Sequence, residues 1–197
     1  MSSEQMLNIY KLSTATKYIP KIQRAVKIMA FTLLGLNAFL NLIDFFCTVN
    51  LPIKNHERIR WDRKSYWYYP WGDSVVHKGI DLFGDLQTEI ISGVGGVVIE
   101  SGYNSKGGNH IYILSYDLKI YYYAHLSKRG VTNFEFVTKN KIIGLMGDSG
   151  NAQFTPAHLH YSIFSIVPML RYLDLKSIKG WQKMFYLNPE KYIALEK

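Results

Sequence analysis

The sequence predicts a mainly β domain with antiparallel strands, preceded by one N-terminal transmembrane helix. Three observations favour this architecture. One long apolar stretch lies near the N-terminus, short runs of β-branched and aromatic residues separated by glycines follow from residue 74 onward, and no long amphipathic helix interrupts those runs. Because 48% of the 197 residues are hydrophobic, the chain can bury a core of its own.

The apolar stretch "IMAFTLLGLNAFLNLI" follows a basic segment. A helix from Ala25 to Ile43 would be roughly 28 Å long at about 1.5 Å per residue, close to the roughly 30 Å hydrocarbon layer of a bilayer. We therefore assign 1–24 to a cytoplasmic segment and 25–48 to a transmembrane anchor. The preceding lysines and arginine predict an exported remainder. A cleaved signal peptide is the alternative, although no small-x-small cleavage site follows the stretch.

A polar stripe lies within this predicted helix. Asn37, Asn41, Asp44 and Thr48 recur at helical spacing and would share one face. One interpretation is that a lone span tolerates these residues. The alternative is that the helix lies flat in the interface, or that Asn37, Asn41 and Asp44 contact a second membrane helix.

Charge and cysteine content limit the possible partners. The net charge of +8 favours an anionic partner, such as membrane lipid or an acidic wall polymer. Nucleic acid is not predicted, because no RNA-binding or helix-turn-helix signature is present. Cys47 is the single cysteine, which excludes an intramolecular disulfide and any cysteine-based zinc cluster.

Residues 49–69 are rich in aromatic and basic side chains. Such a segment can bind glycan or lipid headgroups, or it can be a linker whose aromatic side chains cover the edge of the next domain. We assign 49–69 to a linker.

Three runs are typical of strands: "GVVIESG", "HIYILSY" and "KIYYYAHL". Asp117 and Leu118 separate the second run from the third, which predicts a tight hairpin. The exported part is therefore predicted to be one antiparallel β domain.

The first candidate metal motif is "VVHKGID". His77 and Asp81 would be roughly 13 Å apart in a fully extended strand at about 3.3 Å per residue. That separation is too large for two ligands of one zinc ion, each of which must lie within about 2.0–2.2 Å of the metal. The chain must bend between them, and Gly79 is the residue best able to bend.

The second motif is "AHLHYS". In a strand His158 and His160 would share one face, while Leu159 would pack behind them. His125 lies next to the end of the run "KIYYYAHL". Taken alone it does not indicate a site, because a lone histidine there is usually a packed or edge residue.

Taken together and in order, "HKGID", "YYYAHL", "GDSGN" and "PAHLHYS" resemble the lysostaphin-type, LytM-like family of zinc endopeptidases. The resemblance runs from Tyr69 to Tyr192 and includes "SGVGGVV" and "LNPEKY". It implies a LytM-like peptidase domain over 70–194.

The resemblance also implies roles for five residues. His77, Asp81 and His160 would bind one Zn²⁺ per chain, which leaves a position open for water or substrate, as in a catalytic zinc site. His158 would be the general base, and His125 would stabilise the oxyanion. His56 and His110 have no role in the family, and we place them in the linker and on a strand surface. Ser162 stands where many relatives carry Glu or Gln.

The family's substrates are the crosslinks and stem peptides of bacterial peptidoglycan. The resemblance thus implies an endopeptidase anchored by one span in the cytoplasmic membrane, with its catalytic domain on the periplasmic or cell-wall side. Two alternatives stay open. One is a non-catalytic protein that binds peptidoglycan or activates a hydrolase, and the other is a zinc protease that acts on an envelope protein.

Overall fold

A computed structural model describes residues 3–46, 48–54 and 59–194. The chain divides after residue 42 into two compact units. Cys47 and His56, considered above, lie outside the described residues.

The first unit is helical. Helix α1, Ser3–Phe46, begins well before the predicted anchor at residue 25, and its last residues belong to the second unit. Within it, Tyr18–Asp44 has a mean hydropathy of 1.7 and is long and apolar enough to cross a membrane. The predicted N-terminal apolar helix is therefore present.

Side chains of the polar stripe predicted on this helix form hydrogen bonds and an ion pair within the chain. The Asn41 side-chain amide donates to the backbone and side-chain oxygens of Asn37 at 2.8 and 3.0 Å. The Asp44 carboxylate forms an ion pair with Lys119 at 2.9 Å and accepts a hydrogen bond from the Tyr192 hydroxyl at 2.9 Å. Contact of the stripe with a second membrane helix stays a prediction.

The second unit is built from short strands, as predicted. In chain order they are β1 Val49–Asn50, β2 Ile80–Phe83, β3 Glu89–Ile91, β4 Gly96–Asn104, β5 Gly108–Ser115, β6 Lys119–Leu126, β7 Lys128–Arg129, β8 Phe136–Val137, β9 Ile142–Leu145, β10 His158–Ser165, β11 Tyr186–Leu187 and β12 Ile193–Ala194.

The main sheet has the order β11-β10-β6-β5-β4-β8, and β2 also pairs with β10. All of its pairings are antiparallel. A smaller antiparallel sheet contains β3, β9 and β7, while β1 and β12 form a short parallel pair.

One face of the main sheet forms the core. Alternate side chains of each strand point to it, so Leu159, Tyr161 and Ile163 of β10 are fully buried together with Tyr121 and Tyr123 of β6. The predicted placement of Leu159 behind the two histidines is confirmed. The opposite face of β10 carries His158 and His160.

The hairpin predicted at Asp117 and Leu118 joins β5 and β6. Leu118 adopts a positive φ of 58° and donates its N–H to the Ser115 carbonyl at 3.1 Å. The turn forms without the glycine that usually favours this conformation.

The segment predicted as a linker is packed into the second unit where it is described. Val49, Leu51 and Ile53 are buried, and β1 pairs with β12. Arg60 forms an isolated bridge with Phe83 at the end of β2. The first residues after the helix thus contribute to the core instead of forming a free connector.

We expect Ile113→Ala to lower the free energy of unfolding by about 2–5 kcal/mol, because it removes fully buried methyl groups and leaves a cavity. Urea unfolding in detergent, followed by tryptophan fluorescence, measures the change. Tyr103→Ala is the control: Tyr103 is 65% exposed, so a change of less than about 0.5 kcal/mol is expected. Equal stability of the two variants would contradict this core.

Candidate active site

Three potential metal ligands converge beside the face of β10 that carries His158 and His160. His77 Nε2 lies 3.2 Å from Asp81 Oδ1 and 3.0 Å from His160 Nδ1, and His160 Nδ1 lies 2.9 Å from Asp81 Oδ1. Cross-strand pairing produces part of this geometry, because His160 of β10 stands directly opposite Asp81 of β2. The structure therefore brings together the three residues predicted to bind the metal.

Residues other than the three potential metal ligands fix the orientation of the His77 ring. Its Nδ1 lies 2.8 Å from the Ser65 carbonyl oxygen, so Nδ1 carries the proton and donates. Trp71 stacks on the ring with 4.1 Å between centroids. The unprotonated Nε2 therefore points at Asp81 and His160.

This donor set fits a divalent cation such as zinc. Two imidazole nitrogens and one carboxylate oxygen within 3.2 Å of one another bring lone pairs close together in a largely buried place, which a cation would stabilise. Tetrahedral bonds of about 2.0–2.1 Å would separate ligand atoms by about 3.3 Å, near the observed distances.

The protonation states agree with a cation site. Burial favours the neutral form of the Asp81 carboxyl, but the neighbouring imidazoles of His160 and His77 outweigh burial and hold its pKa well below the usual range. Burial lowers the pKa of His160. Asp81 is therefore ionised and His160 is neutral at neutral pH, as metal ligands must be.

Gly79 permits this convergence by a close approach. A Cβ at this position would lie 2.5 Å from the Tyr161 carbonyl oxygen and 3.0 Å from the His160 ring. The sequence predicts a bend at Gly79, and the structure adds a second requirement, which is space for the backbone of β10 beside it.

His158 and His125 face each other beside the triad, with 4.9 Å between ring centroids. His158 Nδ1 lies 2.8 Å from the Pro156 carbonyl oxygen, and His125 Nδ1 lies 2.9 Å from the Ser149 carbonyl oxygen. Each Nδ1 therefore donates its proton, so that the neutral form of each imidazole carries its lone pair on Nε2.

A β-bulge brings His125 to the correct face. The register of β5 and β6 shifts so that Ala124 and His125 together oppose His110, and His125 has a φ of 63°. Regular alternation would turn His125 away from His160, whose cross-strand partner is Ala124. The left-handed backbone at His125 is strain stored at the site.

Burial, together with repulsion from the neighbouring His160 whenever that ring is protonated, lowers the pKa of His125 to about 4. His125 is therefore neutral at neutral pH before any reaction begins.

The site opens into a cleft of about 690 Å³, which Asp81, His125, His158 and His160 line together. Asp73 and Lys106 also line it and form an exposed ion pair at 3.1 Å. A second cleft of about 400 Å³ is also lined by His160, with Lys78 and several aromatic side chains, Tyr112, Tyr122, Phe164 and Tyr186. Each cleft is therefore in contact with the candidate metal site.

The predicted surface position of His110 is wrong. Its side chain is buried on β5, where Nε2 lies 2.9 Å from Glu100 and Nδ1 lies 3.0 Å from the Gly108 carbonyl oxygen. Ser162 also has a specific role, because its hydroxyl donates to the Lys78 carbonyl at 2.7 Å and ties β10 to the loop that carries His77.

Sequence reasoning missed Ser65 and Trp71, which hold His77, as well as Ser149 and Pro156, which orient the other two histidines. Three of these four residues act through their backbone carbonyls. Every residue type has a backbone carbonyl, so the sequence does not reveal this role. Trp71 lies in the aromatic-rich stretch "YPWGD", but the sequence does not indicate which of these rings reaches the site.

The region that resembles known proteins contains the same site residues. The profile of Peptidase family M23 matches residues 75–169, a range that includes all five site residues. Peptidoglycan DD-endopeptidase ShyC of Vibrio cholerae is 37% identical over 90 residues, which cover 46% of this chain and 20% of that protein. The chain thus matches about a fifth of the length of this curated relative.

Two solved structures share the fold. The catalytic domain of lysostaphin from Staphylococcus simulans is 30% identical with a TM-score of 0.50, and the alignment covers 53% of this chain and 79% of that domain. A zinc-containing peptidase from Vibrio cholerae is 25% identical with a TM-score of 0.50, covering 59% of this chain and 36% of that one.

We expect Gly79→Ala to weaken metal binding by about 10–100-fold, because the added methyl group must displace the His160 ring or the backbone of β10. Competition with a chromophoric chelator measures the zinc affinity. Gly95→Ala is the matched control, since a Cβ there meets neighbouring atoms at no less than 3.7 Å. Unchanged affinity in both variants would contradict the proposed ligand geometry.

Proposed function

Since the chain belongs to peptidase family M23, we propose that it is a zinc metalloendopeptidase that cleaves peptide crosslinks or stem peptides of bacterial peptidoglycan. One observation carries the proposal. The His77, Asp81 and His160 donors and two imidazoles, His125 and His158, line or adjoin one open cleft. Hydrolysis of a peptide bond needs a cation that polarises the carbonyl group and a side chain that transfers protons, and both must lie beside the bound peptide.

His77, Asp81 and His160 would hold the zinc ion. When bound, zinc polarises a carbonyl group and lowers the pKa of water to about 7. The chain itself supplies the orientation of the ligands, through the Ser65 carbonyl and the pairing of β10 with β2.

His158 serves as the general base. Its Nδ1 proton is held by the Pro156 carbonyl, so Nε2 is free to accept a proton from the attacking water. The same Nε2 can then return the proton to the leaving amine. Imidazole suits this exchange because it takes up and releases protons near neutral pH.

His125 acts in two stages. The neutral ring first accepts a hydrogen bond at Nε2, because its Nδ1 proton is occupied by the Ser149 carbonyl. As the oxyanion forms at the cleaved carbonyl, the ring takes up a proton from solvent at Nε2 and donates a hydrogen bond to that oxyanion, and it returns the proton to solvent when the oxyanion collapses. Water has two protons, and two facing Nε2 acceptors can orient it before attack.

The substrate assignment follows the relatives. ShyC is named as a peptidoglycan DD-endopeptidase, and lysostaphin as an antimicrobial peptidase. The two clefts that His160 lines suit an extended peptide that passes through the site, and the net charge of +8 suits an acidic wall polymer.

His160→Ala and His158→Ala separate metal binding from proton transfer. We expect His160→Ala to lose zinc and cleavage, whereas His158→Ala retains zinc and loses about 10²–10⁴-fold in rate. Metal analysis and mass spectrometry of peptides released from purified peptidoglycan measure the two effects. Tyr103→Ala is the surface control.

Two results would redirect the proposal. Wild-type protein that binds zinc but releases no peptides would support the non-catalytic binding or activating alternative. Cleavage of envelope proteins in place of wall peptides would support the alternative protease. Equal rates for His158→Ala and wild type would remove His158 from the mechanism.

We further propose that Tyr18–Asp44 anchors the chain by one pass in the bacterial cytoplasmic membrane, with the second unit on the periplasmic or cell-wall side. The length and hydropathy of the helix support the span. The basic residues that precede it support the orientation.

Alkaline carbonate extraction tests the anchor. We expect the full chain to stay in the membrane pellet, and a Leu33→Arg, Leu34→Arg variant to be released, because each arginine at the centre of a span costs about 2.5–3.5 kcal/mol. Leu33→Ala, Leu34→Ala is the matched control. Release of the wild type would contradict anchoring, and loss of an N-terminal tag on export would indicate a cleaved signal peptide.

A further inference from the structure

One end of the main sheet binds the residue at which the apolar stretch finishes. Asp44 is the last residue of the stretch Tyr18–Asp44 and belongs to the same compact unit as the sheet. Its carboxylate is bound by Lys119 at the start of β6, by the Tyr192 hydroxyl and by Arg171. This end of the sheet is thus fixed to the chain where a membrane span would finish.

Exposed apolar side chains lie close in the chain to residues that bind Asp44, or are hydrogen-bonded to such neighbours. We call the set Tyr116, Leu118, Ile166 and Leu170 the Asp44 end, and its members are between 38% and 84% exposed. Tyr116 and Leu118 lie in the turn before Lys119, while Leu170 adjoins Arg171. The Ile166 N–H donates to the Leu118 carbonyl at 3.0 Å, which joins the two parts of the set.

We propose that the Asp44 end rests on a phospholipid surface. This inference depends on the membrane anchoring proposed above. If the span ends at Asp44, the surface beside Asp44 must lie where the bilayer meets water, a zone that suits a tyrosine and exposed aliphatic side chains.

The charges at this end are compatible with a lipid surface. The buried carboxylates are Asp44 and Asp117, and Lys119 pairs with both, at 2.9 and 2.8 Å. Arg171 adds a half-exposed cation beside Asp44. Because the carboxylates are paired with cations, this end does not present unpaired negative charge from these residues to anionic headgroups.

This docking would hold the active site at a fixed distance from the membrane surface. The active site lies at the other end of the same strands, since His160 of β10 is opposite Ala124 whereas Ser165 is opposite Lys119. From Lys119 to Ala124 the strand covers about 17 Å at about 3.3 Å per residue. The substrate is therefore wall peptide that comes within about this distance of the membrane surface, and not wall material farther out.

Depth-dependent fluorescence quenching in the full chain tests the inference. Cys47→Ser removes the native thiol, and Tyr116→Cys or Leu170→Cys then carries one fluorescent label. The matched control is Tyr103→Cys, which is exposed and lies at the active-site end of β4. The protein is reconstituted in phosphatidylethanolamine and phosphatidylglycerol vesicles that contain lipids with a nitroxide near the headgroup.

Labels at positions 116 and 170 are expected to be quenched several-fold more strongly than the label at position 103. Equal quenching at all three positions, in protein that resists carbonate extraction, would overturn the docking inference and leave the anchor intact. Protein that is extracted by carbonate would overturn both. Peptidase activity on soluble wall fragments is measured separately, so failure of the catalytic proposal is distinguishable from either result.

Discussion

The pairing of β10 on both of its edges is the constraint on which the site depends. One edge pairs with β2, which sets His160 opposite Asp81, and the other pairs with β6, which sets His160 opposite Ala124. A slip of one residue would turn every side chain of β10 to the wrong face. The buried face prevents such a slip, because Leu159, Tyr161 and Ile163 would then have to leave the core. Hydrophobic packing of β10 therefore determines how the candidate metal ligands Asp81 and His160 are placed relative to each other.

Rigid support from outside the sheet completes the arrangement. Backbone carbonyls of Ser65, Ser149 and Pro156 each fix one imidazole, and each fixes the tautomer as well as the ring plane. These carbonyls lie on loops that precede or connect the strands. The sheet therefore positions His125 and His158, a loop positions His77, and the carbonyls determine which nitrogen of each ring is left free. Such support is what a hydrolytic site needs, since proton transfer depends on the orientation of particular atoms.

Much of this arrangement could be predicted from the sequence. Alternation placed His158 and His160 on one face with Leu159 behind them, and the strand β6 has the bounds of the run "KIYYYAHL". The position of His125 could not be derived from alternation, because a bulge reverses the face of the residue within it. The burial of His110 was missed for a different reason. A histidine looks polar in a sequence, and only the structure reveals that Glu100 and the Gly108 carbonyl satisfy its ring.

The parallel pair of β1 and β12 has a consequence for biogenesis. Val49 pairs with Ile193, so the strand that follows the helix is completed by a strand synthesised more than a hundred residues later. The pair cannot form until the C-terminal strand has left the ribosome. The second unit therefore completes its fold only after residues 193–194 have been synthesised, and until then the strand that follows the helix lacks its partner.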